Sequence, residues 1–305
     1  MKTLTTTPKN PFQTVRAQRV LVIGDSILEV YLPDYSARLG GAGNVCSHFY
    51  AWEEVEHIAP VNLSGVLDMW NVPRTWNKAW YIGLQSNPWP IRIFNELGSV
   101  VLKKNPSGFS TQLLEGYEIG MLCTLGFFDA LYVEWHFKDS IAEVYLKHLL
   151  KLNQFEHVFI DSRYPDHFPW ESISSNCNNS LVTLKVNEVE AARCGRSPYT
   201  INKLVDKYGI NVLVTHGANG ATLLQPNNRS HYQKAISSYS HCNPLGCGDS
   251  YFSSYGSMAM QGYPVEYSML VASYAGGIAV SHPKVVTVTP AMVYDAMELN
   301  GEVNE

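Results

Sequence analysis

The chain has 305 residues, 46% of them hydrophobic, and a formal charge of −5 at neutral pH. That length and apolar content suit one large α/β domain with an appendage better than two small domains. The acidic balance, without a dense Lys/Arg block, excludes a surface built for a nucleic-acid backbone or an anionic membrane and points to small-molecule chemistry.

Residues 1–18, "MKTLTTTPKNPFQTVRAQ", are polar and contain two prolines, so they form an N-terminal extension without the apolar core of a signal peptide. No run approaches the length of a membrane span, and the expected location is cytoplasmic. Cys46, Cys123, Cys177, Cys194, Cys242 and Cys247 form no C-x-x-C pair, so they read as reduced thiols rather than zinc ligands or a disulfide framework. The main domain is expected over 19–298, followed by a tail at 299–305.

"RVLVIGD" (19–25) is an apolar run that predicts a buried strand presenting Asp25 at its carboxyl end. "HVFID" (157–161), "LVTLKVNE" (181–188) and "NVLVTHG" (211–217) repeat the pattern, with helix-like "DSIAEVYLKHLLKL" (139–152) and "EVEAARCG" (188–195) between them. Strands alternating with helices imply a mainly parallel sheet covered on both faces. Ligands of such sheets bind beyond the carboxyl ends of the strands, where Asp25, Asp161, Asn187 and Thr215 fall. Residues 31–125 are less regular. Within them "GSVVLKKNPSGFSTQLLEGYE" (98–118) suggests a β-hairpin flap over the site.

Three short segments carry chemistry. "RLGGAGNVCSHFYAWEE", beginning at 38, opens a helix from about Asn44; Cys46 stands where a dinucleotide fingerprint needs its third glycine, and no P-loop exists in the chain. Taken alone it is equally a flexible turn with an N-cap. In "KVNEVEA" (185–191), Asn187 and Glu190 are spaced as a capping box or as a site where Glu190 orients hydrated Mg²⁺. "HCNPLGCGDSYFSSY" (241–255) places Asp249 at a helix start after a glycine turn, either as an N-cap or as a base beside an anion hole of backbone N–H groups. "GFFDALYVEWH" (126–136) begins like the G-x-F-D segment of cytidylyltransferases. Tyr132 and Trp135 stand where that chemistry needs histidines, which removes it.

In order and spacing these pieces resemble the ribokinase-like (PfkB) sugar kinases: Gly40, Gly41 and Asn44 match G-G-x-x-x-N, Asn187 and Glu190 match N-x-x-E, Thr215, Gly217 and Gly220 match T-x-G-x-x-G, and Gly246-Cys247-Gly248-Asp249 matches G-A-G-D. "VLVIGDSILEVYLP" and "VFIDSRYPDHFPW" look most like the branch that phosphorylates heptose 7-phosphate. The resemblance implies a three-layer α/β/α sandwich with a mainly parallel sheet and a small β lid, its segments within 31–40 and 98–118. It also implies an ATP- and Mg²⁺-dependent kinase acting on a sugar or sugar phosphate, with room for a monovalent cation and for a homodimer through the lid. Asp249 would be the base, with the backbone of Gly246, Cys247 and Gly248 as anion hole; Asp25, Gly40, Gly41, Asn44 and Glu134 would bind the acceptor. Asn187, Thr215, Gly217, Gly220 and Ser273 would bind nucleotide, and Glu190 the metal through water. Departures are Asn243-Pro244-Leu245 in place of an Asp-Thr-Thr-like run, Cys247 for alanine, Ser273 for an asparagine, and a segment between Leu32 and Gly40 short for a lid strand. Two other functions fit the same fold: a non-catalytic ligand-binding or interaction protein, and a nucleoside kinase.

Overall fold

The computed structural model describes residues 18–24, 26–31, 36–52, 80–83, 91–94, 100–104, 128–135, 143–152, 155–177, 181–195, 201–236 and 243–302. Parallel strands covered on both faces need unbroken apolar runs, and these are what pair. β1 (Val20–Gly24) is flanked by β4 (Trp80–Gly83) and β7 (Ala130–Trp135), and the sheet continues through β8 (His157–Ser162), β9 (Leu181–Asn187) and β10 (Asn211–Thr215), all parallel. β11 (Ala221–Gln225) and β12 (Arg229–Gln233) extend that edge as an antiparallel hairpin, giving an eight-stranded order β12-β11-β10-β9-β8-β7-β1-β4.

Side-chain alternation divides these strands between two cores. Leu21, Ile23, Leu131, Val133, Val158, Ile160 and Leu184 point to one face, under α2 (Glu143–Leu152), α3 (Trp170–Asn176), α4 (Glu188–Gly195) and α5 (Ile201–Tyr208). Val20, Val22, Ala130, Tyr132, Phe159 and Leu213 point to the other, under α1 (Ala42–Trp52), α6 (Cys247–Met260) and α7 (Val265–Ser281). α8 (Pro290–Leu299) packs outside α7 and starts with Pro290 behind a Thr289 cap whose Oγ1 accepts from Met292 N–H at 3.3 Å. The result is the expected three-layer α/β/α sandwich. Among the described residues, no helix is long and apolar enough to cross a membrane.

A second, four-stranded sheet has the order β3-β2-β5-β6, formed by β2 (Ser26–Tyr31), β3 (Ser36–Gly41), β5 (Ile91–Phe94) and β6 (Val100–Lys104). The stretch between Leu32 and Gly40 is therefore long enough for a lid strand: β3 runs into Gly41 and pairs with β2 over six residues. Of the 98–118 segment expected to form a flap, β6 lies in this sheet and pairs antiparallel with β5, upstream of it; residues 105–118 lie outside the described set. One residue, position 25, separates β1 from β2, and β3 passes into α1 without a loop.

Where strands crowd together, glycine is required. Gly220 has φ 102°, and a Cβ there would lie 2.1 Å from the Gln233 carbonyl oxygen of β12. Gly209 has φ 64° but open space around it. Gly220→Ala should therefore cost about 2–4 kcal/mol from clash plus backbone strain, whereas Gly209→Ala should cost only about 1–2 kcal/mol. Urea melts of the two variants measure the difference, and equal losses would contradict it.

Candidate active site

The face of the sheet that carries Tyr132 and Phe159 turns polar one step toward the carboxyl ends. Alternation places Glu134 after Tyr132, Asp161 after Phe159 and Lys185 after Thr183, and the three are laterally in register: Gly24 opposite Glu134, Glu134 opposite Asp161, Asp161 opposite Lys185. A row of ionisable side chains thus crosses neighbouring strands beneath α1 and α6. Glu134, Asp161 and Lys185 are all buried.

α6 brings the fourth member. Its N-cap is Gly246 in the left-handed conformation (φ 74°), with no side-chain cap hydrogen bond, so Asp249 is the third helical residue and is not the cap. Gly246 is demanded by space as well, since a Cβ would lie 2.5 Å from Val285 Cγ1 and 3.1 Å from Asn44 Nδ2. The Asp249 carboxylate instead reaches across to α1, where Asn44 Nδ2 donates to Oδ2 at 2.5 Å. His48, one turn further along α1, bonds Ser250 Oγ at 2.9 Å and ties the two helix starts together. Ligand oxygens of Glu134, Asp161 and Asp249 lie within 4.8 Å of one another.

Four features predicted from sequence meet here: Asn44, Glu134, Asp249 and the Gly246-Cys247-Gly248 turn. Gly40 and Gly41 are the last two residues of β3, immediately before α1, in register with Ile27 and Ser26. Asp25 lies outside the described residues. Asn187 and Glu190 form the reciprocal capping box, with Asn187 N–H donating to Glu190 Oε2 at 2.8 Å and Glu190 N–H to Asn187 Oδ1 at 3.0 Å. Thr215 is in register with Asn187 and opens the turn to β11. In that turn Gly220 is fixed by close approach to β12, while Gly217 (φ 56°) has open space where a side chain would be. Ser273 is buried in α7 with Tyr251 of α6 as its neighbour.

The altered run before the glycine turn has a structural task. Asn243 Oδ1 accepts from Leu245 N–H at 3.1 Å, its Nδ2 donates to the Pro283 carbonyl at 2.9 Å, and the Cys247 thiol donates to the Asn243 carbonyl at 3.3 Å. Asn243 is thus occupied in shaping the turn that delivers α6.

Sequence reasoning assigned no role to Lys185, nor any beyond an edge position to Asp161. Lys185 Nζ donates to Asp161 Oδ2 at 2.6 Å. A lysine inside an otherwise apolar parallel strand, two residues ahead of the Asn187 turn, was the available signal. Burial pushes the Asp161 carboxyl up to about 6 against the pull of the Lys185 ammonium. Burial, with the charges of Asp161 and Asp249, holds Glu134 well above the carboxylate range, and Tyr132 beneath them is raised by the same causes. A carboxyl whose folded pKa is raised favours the folded state below its unfolded pKa, and that contribution is lost as pH rises through the folded value. Glu134→Gln should accordingly raise the melting temperature by roughly 2–6 °C at pH 8 and leave it unchanged at pH 4. A gain of equal size at both pH values would exclude buried ionisation as the cause.

Comparison with known proteins bears on the family and the fold. Residues 110–292 match the model of the pfkB family carbohydrate kinases. No curated protein matches the chain. Among solved structures, ribokinase of Arabidopsis thaliana, complexed with ribose and ATP, is 15% identical over 93% of this chain and 99% of its own, with a TM-score of 0.65. Ribokinase of Thermotoga maritima is 17% identical over 92% and 99%, with a TM-score of 0.64. Phosphofructokinase-2 of Escherichia coli is 14% identical over 92% and 99%, with a TM-score of 0.60. These likenesses establish the fold, and the family model covers more than half of the sequence: the chain belongs to the pfkB family of carbohydrate kinases.

Proposed function

We propose that the protein transfers the terminal phosphoryl group of ATP to a hydroxyl of a sugar or sugar phosphate, a heptose-phosphate-like acceptor being favoured. The observation that carries this is Asp249: it is released from capping duty, held through one oxygen by Asn44, and set behind a glycine turn at the amino end of a fourteen-residue helix. Asn44 fixes Oδ2 and so leaves Oδ1 to take the acceptor proton. As that proton moves to Asp249, the acceptor oxygen forms its bond to the γ-phosphorus, the bond from that phosphorus to the β,γ-bridging oxygen breaks, and ADP leaves. Backbone N–H groups of Gly246, Cys247 and Gly248, aided by the positive end of the α6 dipole, would hold the charge of the transferring group.

The acceptor would be bound by Asn44, Glu134, Asp25 and the Gly40-Gly41 segment, and the nucleotide by Asn187, Thr215 and the turn containing Gly217 and Gly220. The open space at Gly217 suits a backbone surface on which a nucleotide rests. Mg²⁺ held through water by Glu190, whose Oε2 is taken by the Asn187 N–H, would neutralise phosphate charge. Among the described residues, the outer strands of the second sheet, β3 and β6, each have one paired edge, which suits a homodimer through that sheet. A polar acceptor end with Asn44 and Glu134 favours sugars over nucleosides. A non-catalytic binding role would have to account for the retained Asp249–Asn44 pair.

The test is ADP release from MgATP with heptose 7-phosphate, fructose phosphates, ribose and nucleosides, with Asp249→Asn as the blank. Turnover on one acceptor that falls by about 10³-fold or more in the variant is the expected result. Near-normal turnover by Asp249→Asn would overturn the base role. Silence of the wild type across the panel, with ligands still binding, would transfer the function to the non-catalytic alternative.

A further inference from the structure

Lys185 is an expensive residue to keep where it is. Its side chain is 10% exposed, in the middle of a buried strand. Its ammonium has three N–H donors, and among the described residues one acceptor, Asp161 Oδ2, takes one of them. An ion pair with Asp161 explains that single bond. It does not explain two further donors left in a water-poor site, where unmet polar groups are costly.

The position of Nζ supplies the explanation. A Cβ built on Gly248 would lie 2.9 Å from Lys185 Nζ and 3.3 Å from Cε, so the ammonium lies against the bare backbone of the first turn of α6. First-turn N–H groups have no intrahelical acceptor and point outward from the helix start. Two sets of donors, one from a buried side chain and one from a helix terminus, therefore adjoin with only the hydrogen of a glycine between them. Burial works against the ammonium charge, and the charges of Asp161, Glu190 and Asp249 outweigh it and keep the group protonated. Without that cation, the same carboxylates would repel an anion arriving at the α6 turn.

We propose that the Lys185 ammonium and the amino end of α6 form one phosphate site, with Lys185 donating to oxygens of the transferring phosphoryl group and Asp161 as the residue that positions it. The identity of the anion as the terminal phosphate of ATP rests on the kinase function proposed above. Lys185 gains and loses no proton in the transfer; it stays paired with Asp161 through one N–H and binds phosphoryl oxygens through the others. Glycine at 248 is required because a methyl group there would occupy the space of the ammonium.

Calorimetric titration of MgATP and MgADP in the absence of any acceptor tests the site without relying on turnover. Lys185→Met alone would strand a buried carboxylate, so the informative variant is Lys185→Met/Asp161→Asn, which keeps the pair neutral. It should lose about 10- to 100-fold in ATP affinity, in line with the loss of charge-assisted bonds, and less than about threefold in ADP affinity. Asp161→Asn alone, which keeps an acceptor beside the ammonium, should fall between wild type and the double variant in ATP affinity. Gly248→Ala, whose methyl displaces the ammonium while alanine favours the helix, should reproduce the ATP-selective loss. Equal losses for both nucleotides, or none, would overturn the proposal and leave Lys185 as a structural ion pair. Wild-type binding of neither nucleotide would overturn it as well. If the ATP-selective pattern holds while no acceptor is ever phosphorylated, the phosphate site stands and the kinase function falls.

Discussion

The balance of buried charge at the carboxyl edge of the sheet governs how the site is built. Three carboxylates, Glu134, Asp161 and Asp249, converge beside one ammonium, Lys185. A buried ion pair seldom repays its desolvation in stability alone. Here, though, it sets the geometry: Asp161 and Lys185 are locked by strand register, Asp249 by Asn44, and Glu134 is raised by its burial first and by the charges of Asp161 and Asp249 second. Each apolar layer below exists in part to hold that row in place. Tyr132, Phe159 and Phe252 form an aromatic floor beneath it, with ring centroids 5.4 Å apart for Tyr132–Phe252 and 5.7 Å for Phe159–Phe252.

The parallel strands were readable from sequence because burial on both faces leaves unbroken apolar runs, and β1, β8, β9 and β10 begin and end within a residue or two of their predicted bounds. Asp249 was readable because a glycine turn before a helix is a local pattern. That it is not the cap, and that its carboxylate is held instead by Asn44, 205 positions away in sequence, was not. The Asn187–Glu190 capping box was visible in the spacing, and its hydrogen bonds form as that spacing predicts.

Lys185 and Asp161 were hidden for a different reason. Their significance is lateral: each is unremarkable on its own strand and becomes a pair only when β8 and β9 are laid side by side in register. The second sheet was hard to read because its strands are only four to six residues long and its two antiparallel pairs, β2–β3 and β5–β6, are joined through β2 and β5, which lie far apart in sequence. The segment between Leu32 and Gly40 reads short for a lid strand when the Gly40-Gly41 pair is counted with the turn into the helix, whereas both glycines belong to the strand itself.

The attachment of that second sheet has a mechanical consequence. It leaves the main sheet across a single residue after Gly24 and returns to the sandwich with no intervening loop, Gly41 being followed at once by the first residue of α1. These two links have no slack. The chain also crosses between the two sheets from β4 to β5 and from β6 to β7, but its two shortest links, which a tilt strains first, are the Gly24 peptide beside Glu134 and the opening turn of α1 that carries Asn44. The small sheet and the grip of Asn44 on the Asp249 carboxylate are then one linkage, and whatever seats itself under that sheet also adjusts where the carboxylate points.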